Sequence, residues 1–276
     1  FRSRRIEQLY KEVSTKLKNE LPLEEIYSHC ELMPASYYIN TSAAQIVDHL
    51  RVIHQFIARQ FDVEQPEDAL VPVIAWHPHP AQGYTQVAIA SWDRLGLFSK
   101  ICGSFAYAGL NILRAQIYTR GDHVVLDIFD VCDRELNAVT DQKSVQSAEQ
   151  MLRRTLTHKE VIHFRDLLAR IRTTRPEAPR IREVTIPTEI EFDNEISKSR
   201  TVIEIQTEDR LGLLYTLTQT MSDLNLDISF AKISTEKGAA IDSFYVQDQH
   251  GHKITEPNRL ETIRAKIESA IQLLAS

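Results

Sequence analysis

The same stretch of sequence occurs twice. Asp93-Arg94-Leu95-Gly96-Leu97-Phe98 returns as Asp209-Arg210-Leu211-Gly212-Leu213-Leu214, 116 residues later. At that offset Leu110-Asn111-Ile112 aligns with Leu226-Asp227-Ile228, and Ala115 and Ile117 align with Ala231 and Ile233. Beyond Thr119 the offset falls to 115: Asp127-Ile128-Phe129 matches Asp242-Ser243-Phe244, and Val131 and Asp133 match Val246 and Asp248. One residue lost in an expected turn, with both flanks in phase, is how two copies of one domain diverge. A repeat of this length constrains the architecture strongly, because both copies must satisfy one fold.

Each copy has the same sequence of signals. Gln86–Ser91 and Thr201–Thr207 are rich in Val, Ile and Thr and read as strands. Asp93 and Asp209 follow at expected helix N-caps, where a carboxylate accepts bonds from first-turn N–H groups. Apolar residues at helical spacing come next: Leu97, Phe98, Ile101, Cys102 and Phe105, then Leu214, Leu217, Met221 and Leu224 in the second copy. Gly109 and Asn225 suit the left-handed residue that ends a helix. Strands are expected at Ile112–Thr119 and Ile228–Thr235, and after a hairpin at His123–Val131 and Ala239–Gln247. Helices are expected at Ser144–Leu156 and Asn258–Leu274.

That order is βαββα, and one more strand completes a ferredoxin-like βαββαβ unit, so the fold class is α+β. Arg182–Phe192 is the expected closing strand of the first copy. The second copy ends on its helix and must take a strand from elsewhere. Val71–Trp76 is of suitable type, and the pattern does not assign it to either copy. Residues 71–193 are therefore read as the first domain with a strand extension and linker, and 194–276 as the second. Residues 1–70 form an N-terminal helical connector. Arg4–Asn19 and Ala43–Ala58 show helical spacing, Thr41–Gln45 has capping-box character, and Met33-Pro34 separates them. Tyr37-Tyr38 is expected to pack this connector. Arg170–Arg182, with five arginines and two prolines, reads as a solvated linker rather than an anion-binding arm, since no aromatics interleave.

Composition narrows the function. The net charge is −6, so no broad positive field gathers nucleic acid or anionic membrane. Apolar stretches such as Val71–Trp76 fall far short of the ~20 residues that span a bilayer. Cys30, Cys102 and Cys132 are odd in number and form no Cys-x-x-Cys pair, which argues against a disulfide scaffold or a cysteine zinc site. His77-Pro-His79 has no nearby carboxylate, and its prolines suggest a turn; His49/His54 and His158/His163 are spaced by five, which splays them around a helix. The chain starts at Phe1 with no signal-type apolar run behind it, and is expected to be a piece of a longer cytoplasmic protein.

The chemistry lies in the repeated turn. Gly96 and Gly212 leave the backbone bare at a helix start, where free N–H groups and the helix dipole suit a carboxylate. Asn111, at the start of a neighbouring strand, offers both donor and acceptor to an amino acid's other groups. A tight packing turn explains the same spacing, and the spacing leaves both readings open.

The paired Asp-Arg-x-Gly-Leu turns, each followed by an Asn/Asp-Ile strand entry and an Asp-x-Phe-x-Val strand, resemble ACT domains. These are ferredoxin-like units that commonly bind amino acids and regulate an attached enzyme. Leu32-Met33-Pro34-x-x-Tyr37-Tyr38, Arg114-Ala115-Gln116-Ile117-Tyr118-Thr119 and Pro187–Glu195 extend the resemblance to the C-terminal part of bacterial [protein-PII] uridylyltransferases/uridylyl-removing enzymes. The resemblance implies a glutamine-sensing module that sets whether PII signal proteins gain or lose UMP. It implies ligand contacts at Asp93, Arg94, Leu95, Gly96, Leu97, Asn111 and Ile112, and at Asp209, Arg210, Leu211, Gly212, Leu213, Asp227 and Ile228. It also implies upstream catalytic domains and a homodimer through the ACT units.

Two departures stand out. Leu95 and Leu211 replace the family's proline, so the turn is less pre-set in φ. Asp227 replaces Asn, and a carboxylate there repels a ligand carboxylate but welcomes an ammonium, so the copies are not expected to be equivalent sites.

Catalysis is not expected of this chain. Gly103-Ser104 lies inside an expected helix, no Asp-x-Asp pair exists to hold Mg²⁺, and no His-Asp dipeptide of a metal phosphohydrolase is present. Mg²⁺ belongs to the expected upstream domain, and no cofactor is assigned here. The competing reading is a docking or dimerisation module without a ligand. RNA binding through the same topology would need the basic-Gly-aromatic signature, which Val124–Val131 lacks.

Overall fold

Residues 4–157, 161–174, 186–236 and 238–275 are described by a computed structural model. Four helices come first: α1 (Arg4–Leu17), α2 (Leu23–Leu32), α3 (Tyr37–Asn40) and α4 (Ala43–Phe61). The first repeat follows as β1 (Val73–His79), β2 (Tyr84–Trp92), α5 (Leu97–Ala108), β3 (Asn111–Thr119), β4 (Val124–Cys132) and α6 (Gln142–Leu156). After α7 (Phe164–Thr174), the second repeat has β5 (Glu189–Asp193), β6 (Thr201–Glu208), α8 (Leu213–Asp223), β7 (Asp227–Glu236), β8 (Ala239–Gln247) and α9 (Pro257–Ala275).

Hydrogen bonding orders the strands β1-β2-β4-β3-β7-β8-β6-β5 in one sheet. The order is two ferredoxin-like quartets read in opposite directions, and it confirms the α+β class. It corrects one expectation. The strand predicted at Arg182–Phe192 does not close the first copy: β5 pairs antiparallel with β6, Ile190 opposite Ile205. The first quartet takes β1 instead. In both repeats the extra strand comes before the rest, because a short connection returns it as an antiparallel neighbour at small closure cost. The boundary drawn after residue 193 therefore falls between two paired strands. His77-Pro-His79 finishes β1 rather than forming a turn, and Pro78 is tolerated because β1 is an edge strand with no second neighbour to supply.

The chain forms two compact units. The first comprises Phe1–Trp76, Val87–Asp93 and Ile117–Ile128. Its core joins Val13, Leu17, Ile26, Ile46, Leu50 and Phe56 of the helices to Ala88, Ala90, Tyr118 and Leu126 of the strands. Tyr37 is fully buried there, edge-on to Tyr118 at 5.1 Å, with its hydroxyl 2.9 Å from His49 Nδ1. The backbone N–H of Gly121 donates to Leu32 O (3.0 Å), so the connector grips the tip of the β3–β4 hairpin. At the start of α4, Ser42 and Gln45 form both halves of a capping box, as expected from sequence.

The second unit comprises His77–Gln86, Arg94–Gln116 and Phe129–Ser276. Within it β3 and β7 run antiparallel, with Arg114 opposite Lys232, Ala115 opposite Ala231 and Gln116 opposite Phe230. Helix α5 packs on α6, α7 and α8. Gly109 and Asn225 both take the left-handed conformation expected at the ends of α5 and α8 (φ 77° and 55°). Asp133 and Asp248, paired by the repeat, do the same local work: each Oδ1 accepts two backbone N–H groups, from Glu135 and Asn137 and from His250 and His252. Helix α7 is not visible as a separate element in the sequence reading. Arg175, Arg180, Arg182 and His158 lie outside the described residues.

Candidate functional site

Each repeat leaves a strand and turns into a helix through Asp-Arg-Leu-Gly. Gly96 stands at φ 71° and Gly212 at φ 88°, a left-handed conformation that costs any L side chain. Leu97 N–H donates to Arg94 O (3.1 Å) and Leu213 N–H to Arg210 O (3.0 Å), closing the turn. The glycines themselves stand at the N-caps of α5 and α8, with no side-chain cap. That corrects the expectation for Asp93 and Asp209, which lie three residues earlier because the left-handed glycine inserts a reverse turn before the helix. Their backbone N–H groups instead tie the turn to the hairpin, donating to His123 O (2.9 Å) and Gly238 O (3.0 Å).

The corner of the first repeat is open and polar. A Cβ built on Gly96 meets only Ser99 Oγ at 3.7 Å and Ser222 Oγ at 3.8 Å, both ordinary contacts. Leu95 is 79% exposed and covers nothing. Ser99 Oγ lies 2.9 Å from Gly96 O and 2.8 Å from Gln219 Oε1, and Gln219 in turn donates to Asp223 (2.8 Å). Hydroxyls and an amide from α5 and α8 therefore ring the helix start, where first-turn N–H groups have no acceptor inside the helix. Two cations stand beside it. Arg94 Nη1 donates to Leu156 O at the end of α6 (2.6 Å), while its other terminal nitrogen is buried without a hydrogen-bond partner among the described residues. Burial, and then the Arg94 charge, lower the Lys100 ammonium from its ordinary value. Among the described residues neither cation has an ion-pair partner. The sequence reading missed Lys100; its helical position, four residues past Gly96, is the signal that could have found it.

The corner of the second repeat is covered. Gly212 is buried, and a Cβ there meets Leu168 Cδ1 of α7 at 3.2 Å. Leu211 packs into an apolar cluster with Met151, Phe164 and Leu168, whereas its counterpart Leu95 points to solvent. Arg210 Nη2 pairs with Glu208 Oε2 at 2.6 Å. The counterpart of Lys100 at the same offset is Thr216, so no second cation is present on that turn. A cavity of about 170 Å³ lies beside Arg210, bordered by Thr188, Thr207 and Leu274. The Thr188 and Thr207 hydroxyls are 2.8 Å apart within its lining.

The strand-entry residues behave differently from the turn. Asn111 is exposed, and its Nδ2 donates to Asp133 O (3.2 Å) on the neighbouring loop. The same amide bonds the Cys132 thiol, which burial and then Asp133 push up. Asp227 is exposed at the start of β7; burial holds the Arg200 guanidinium below its ordinary value, and the Asp227 charge opposes that shift. Ile112 and Ile228 are buried core residues, at 6% and 7% exposure, so their side chains serve packing. Among the described residues no group of three or more His, Cys, Asp or Glu side chains is placed to hold a metal. No helix among them is long and apolar enough to cross a membrane.

Residues 189–274 match the family model described as "ACR9-like, ACT-like domain". The matched segment begins at β5, in agreement with the strand pairing. Over a longer span the chain is 35% identical to the bifunctional uridylyltransferase/uridylyl-removing enzyme of Rhodospirillum rubrum, covering 88% of this chain and 25% of that protein. The protein of the same description from Gluconobacter oxydans is 31% identical over 91% of this chain and 26% of its own length. That of Azospirillum brasilense is 36% identical over 68% and 20%. The chain belongs with the ACT-bearing part of the uridylyltransferase/uridylyl-removing enzyme family. It spans about a quarter of the length of these relatives. The likeness reaches the helical connector as well as the repeats, since most of the chain is covered.

Proposed function

We propose that the chain is a regulatory module that binds a small amino acid, glutamine, at the Gly96 corner. Its occupancy would bias catalytic domains elsewhere in the cytoplasmic protein between adding UMP to PII signal proteins and removing it. The observation that carries this reading is the open corner itself. Bare backbone at a helix start, two nearby cations and a ring of Ser99, Gln219 and Ser222 suit a group that is anionic at one end and hydrogen-bonding at the other. A carboxylate there would accept first-turn N–H groups and relieve the repulsion between Arg94 and Lys100. The ligand's amide or ammonium would meet the α8 side chains. Asn111, engaged with Cys132 and Asp133, joins only by giving up those bonds.

For such binding to regulate, the ligand must favour one arrangement of the parent protein, typically by about 1–3 kcal/mol. Isothermal titration calorimetry with L-glutamine is the test. Binding is expected in the parent chain and is expected to be lost in Ser222→Leu, whose side chain would fill the space above Gly96, with L-alanine as the control ligand. A folded chain that gives no heat with L-glutamine leaves the scaffold reading in place: docking or dimerisation through the ACT units. That second reading is favoured at the Gly212 corner, which is packed rather than open.

A further inference from the structure

We propose that α7 is a strap that closes the glycine corner of the second repeat. The contacts fall at Phe164, Leu168 and Arg172, one helical face at a spacing of four. Each is fitted to a particular feature beneath it. Phe164 sits in a notch that exists because residue 103 is glycine: a Cβ on Gly103 would come within 2.6 Å of the ring. The ring also meets that of Tyr215 of α8, tilted, with centroids 5.4 Å apart. Leu168, 2% exposed, lies over Gly212. Arg172 Nη1 donates to Leu274 O at the end of α9 (2.8 Å).

The last contact reveals an exchange of roles. In the first repeat the arginine of the corner, Arg94, caps the end of the repeat's own second helix at Leu156 O. In the second repeat that task falls to Arg172 of α7, and the corner arginine, Arg210, turns to Glu208. The strap thus supplies both the plug and the cap. The two corners share a sequence and a backbone, yet only the second has a side chain seated tightly over its glycine. The inference deepens the amino-acid-sensing reading and rests on it for its consequence: a ligand reaches the space over Gly212 only when α7 lifts, so binding there and seating of the strap exclude one another.

The strap itself is tested without any ligand. Leu95→Cys and Leu211→Cys place a thiol at the same position of the two corners, against a background of three buried native thiols. A maleimide reagent is expected to modify residue 95 at least about ten times faster than residue 211. Adding Gly103→Ala, which forces the Phe164 ring out of its notch, is expected to raise the rate at 211 by about tenfold and leave that at 95 unchanged. Hydrogen exchange at residues 164–174 is expected to rise in the same variant, while β6 and β8 keep their protection. Equal rates at 95 and 211 in the parent background, or no response of 211 to Gly103→Ala in a folded protein, would overturn the strap. Neither result bears on glutamine binding at Gly96, which calorimetry reports separately.

Discussion

Identical residues at the two corners have different energetics because their neighbours differ. Gly96→Ala meets only ordinary contacts with Ser99 and Ser222 and bears the left-handed backbone penalty alone, about 1–2 kcal/mol. Gly212→Ala bears that penalty and also presses on Leu168 Cδ1 at 3.2 Å, so its loss is expected to exceed that of Gly96→Ala in urea unfolding. A second residue-scale test concerns Asp242, 1% exposed on the covered face of β8 with one carboxylate oxygen unbonded among the described residues. Burial pushes it up to about 7 from 3.8; the Ser234 backbone N–H opposes the shift and the Asp209 charge adds to it. The folded-state value lies above the unfolded one, so its contribution is fully present below about pH 4 and is lost as pH rises to about 7. Asp242→Asn removes the ionisation. Its stability relative to the parent is expected to improve by roughly 2–3 kcal/mol between about pH 5 and about pH 8, read from urea midpoints. His29 has the opposite sign. Burial, then the Arg120 and His49 charges, hold it well below 6.5, so the first unit loses stability as pH falls below that value.

Among the elements, those with strong local signals were legible and those defined by long-range pairing were not. The helix α4 carries its own start signal in Ser42 and Gln45, and the strands β2 to β4 and β6 to β8 were marked by β-branched runs inside a repeat. Ser42→Ala is expected to cost about 1 kcal/mol, with fraying of the first turn of α4 seen by hydrogen exchange. The origin of the outer strands was misread because chain order placed Arg182–Phe192 after the first copy. The needed signal was present in the repeat: Ile74 and Trp76 align with Ile190 and Phe192 at the same offset of 116 that relates the glycine corners. Two matches in a short edge strand are easily overlooked. Helix α7 was lost in an arginine-rich stretch that reads as linker. Its apolar face, Phe164, Leu168 and Ile171, finds meaning only through Gly103 and Gly212, which are distant in sequence. The turn residues of the candidate site were legible from their recurrence. Gln219 and Ser222 were not, because three-dimensional proximity alone brings α8 to Gly96; Ser99 and Lys100 lay on the first turn of α5 and were passed over.

At the scale of the whole molecule, the repeat supplies two corners of one sequence, and α7, which lies between the copies in the chain, covers the glycine of the second alone. One remains a candidate sensor and the other is built into the packing of the second unit. This asymmetry gives a spatial prediction that can be read residue by residue. Titration of the ¹⁵N-labelled chain with L-glutamine, followed by amide chemical shifts, measures it most directly. The account predicts saturable shifts at residues 97–100 and at 219–223, with residues 213–215 and 164–174 unmoved. Shifts confined to the second corner, or a folded chain whose spectrum does not respond to L-glutamine at all, would contradict it.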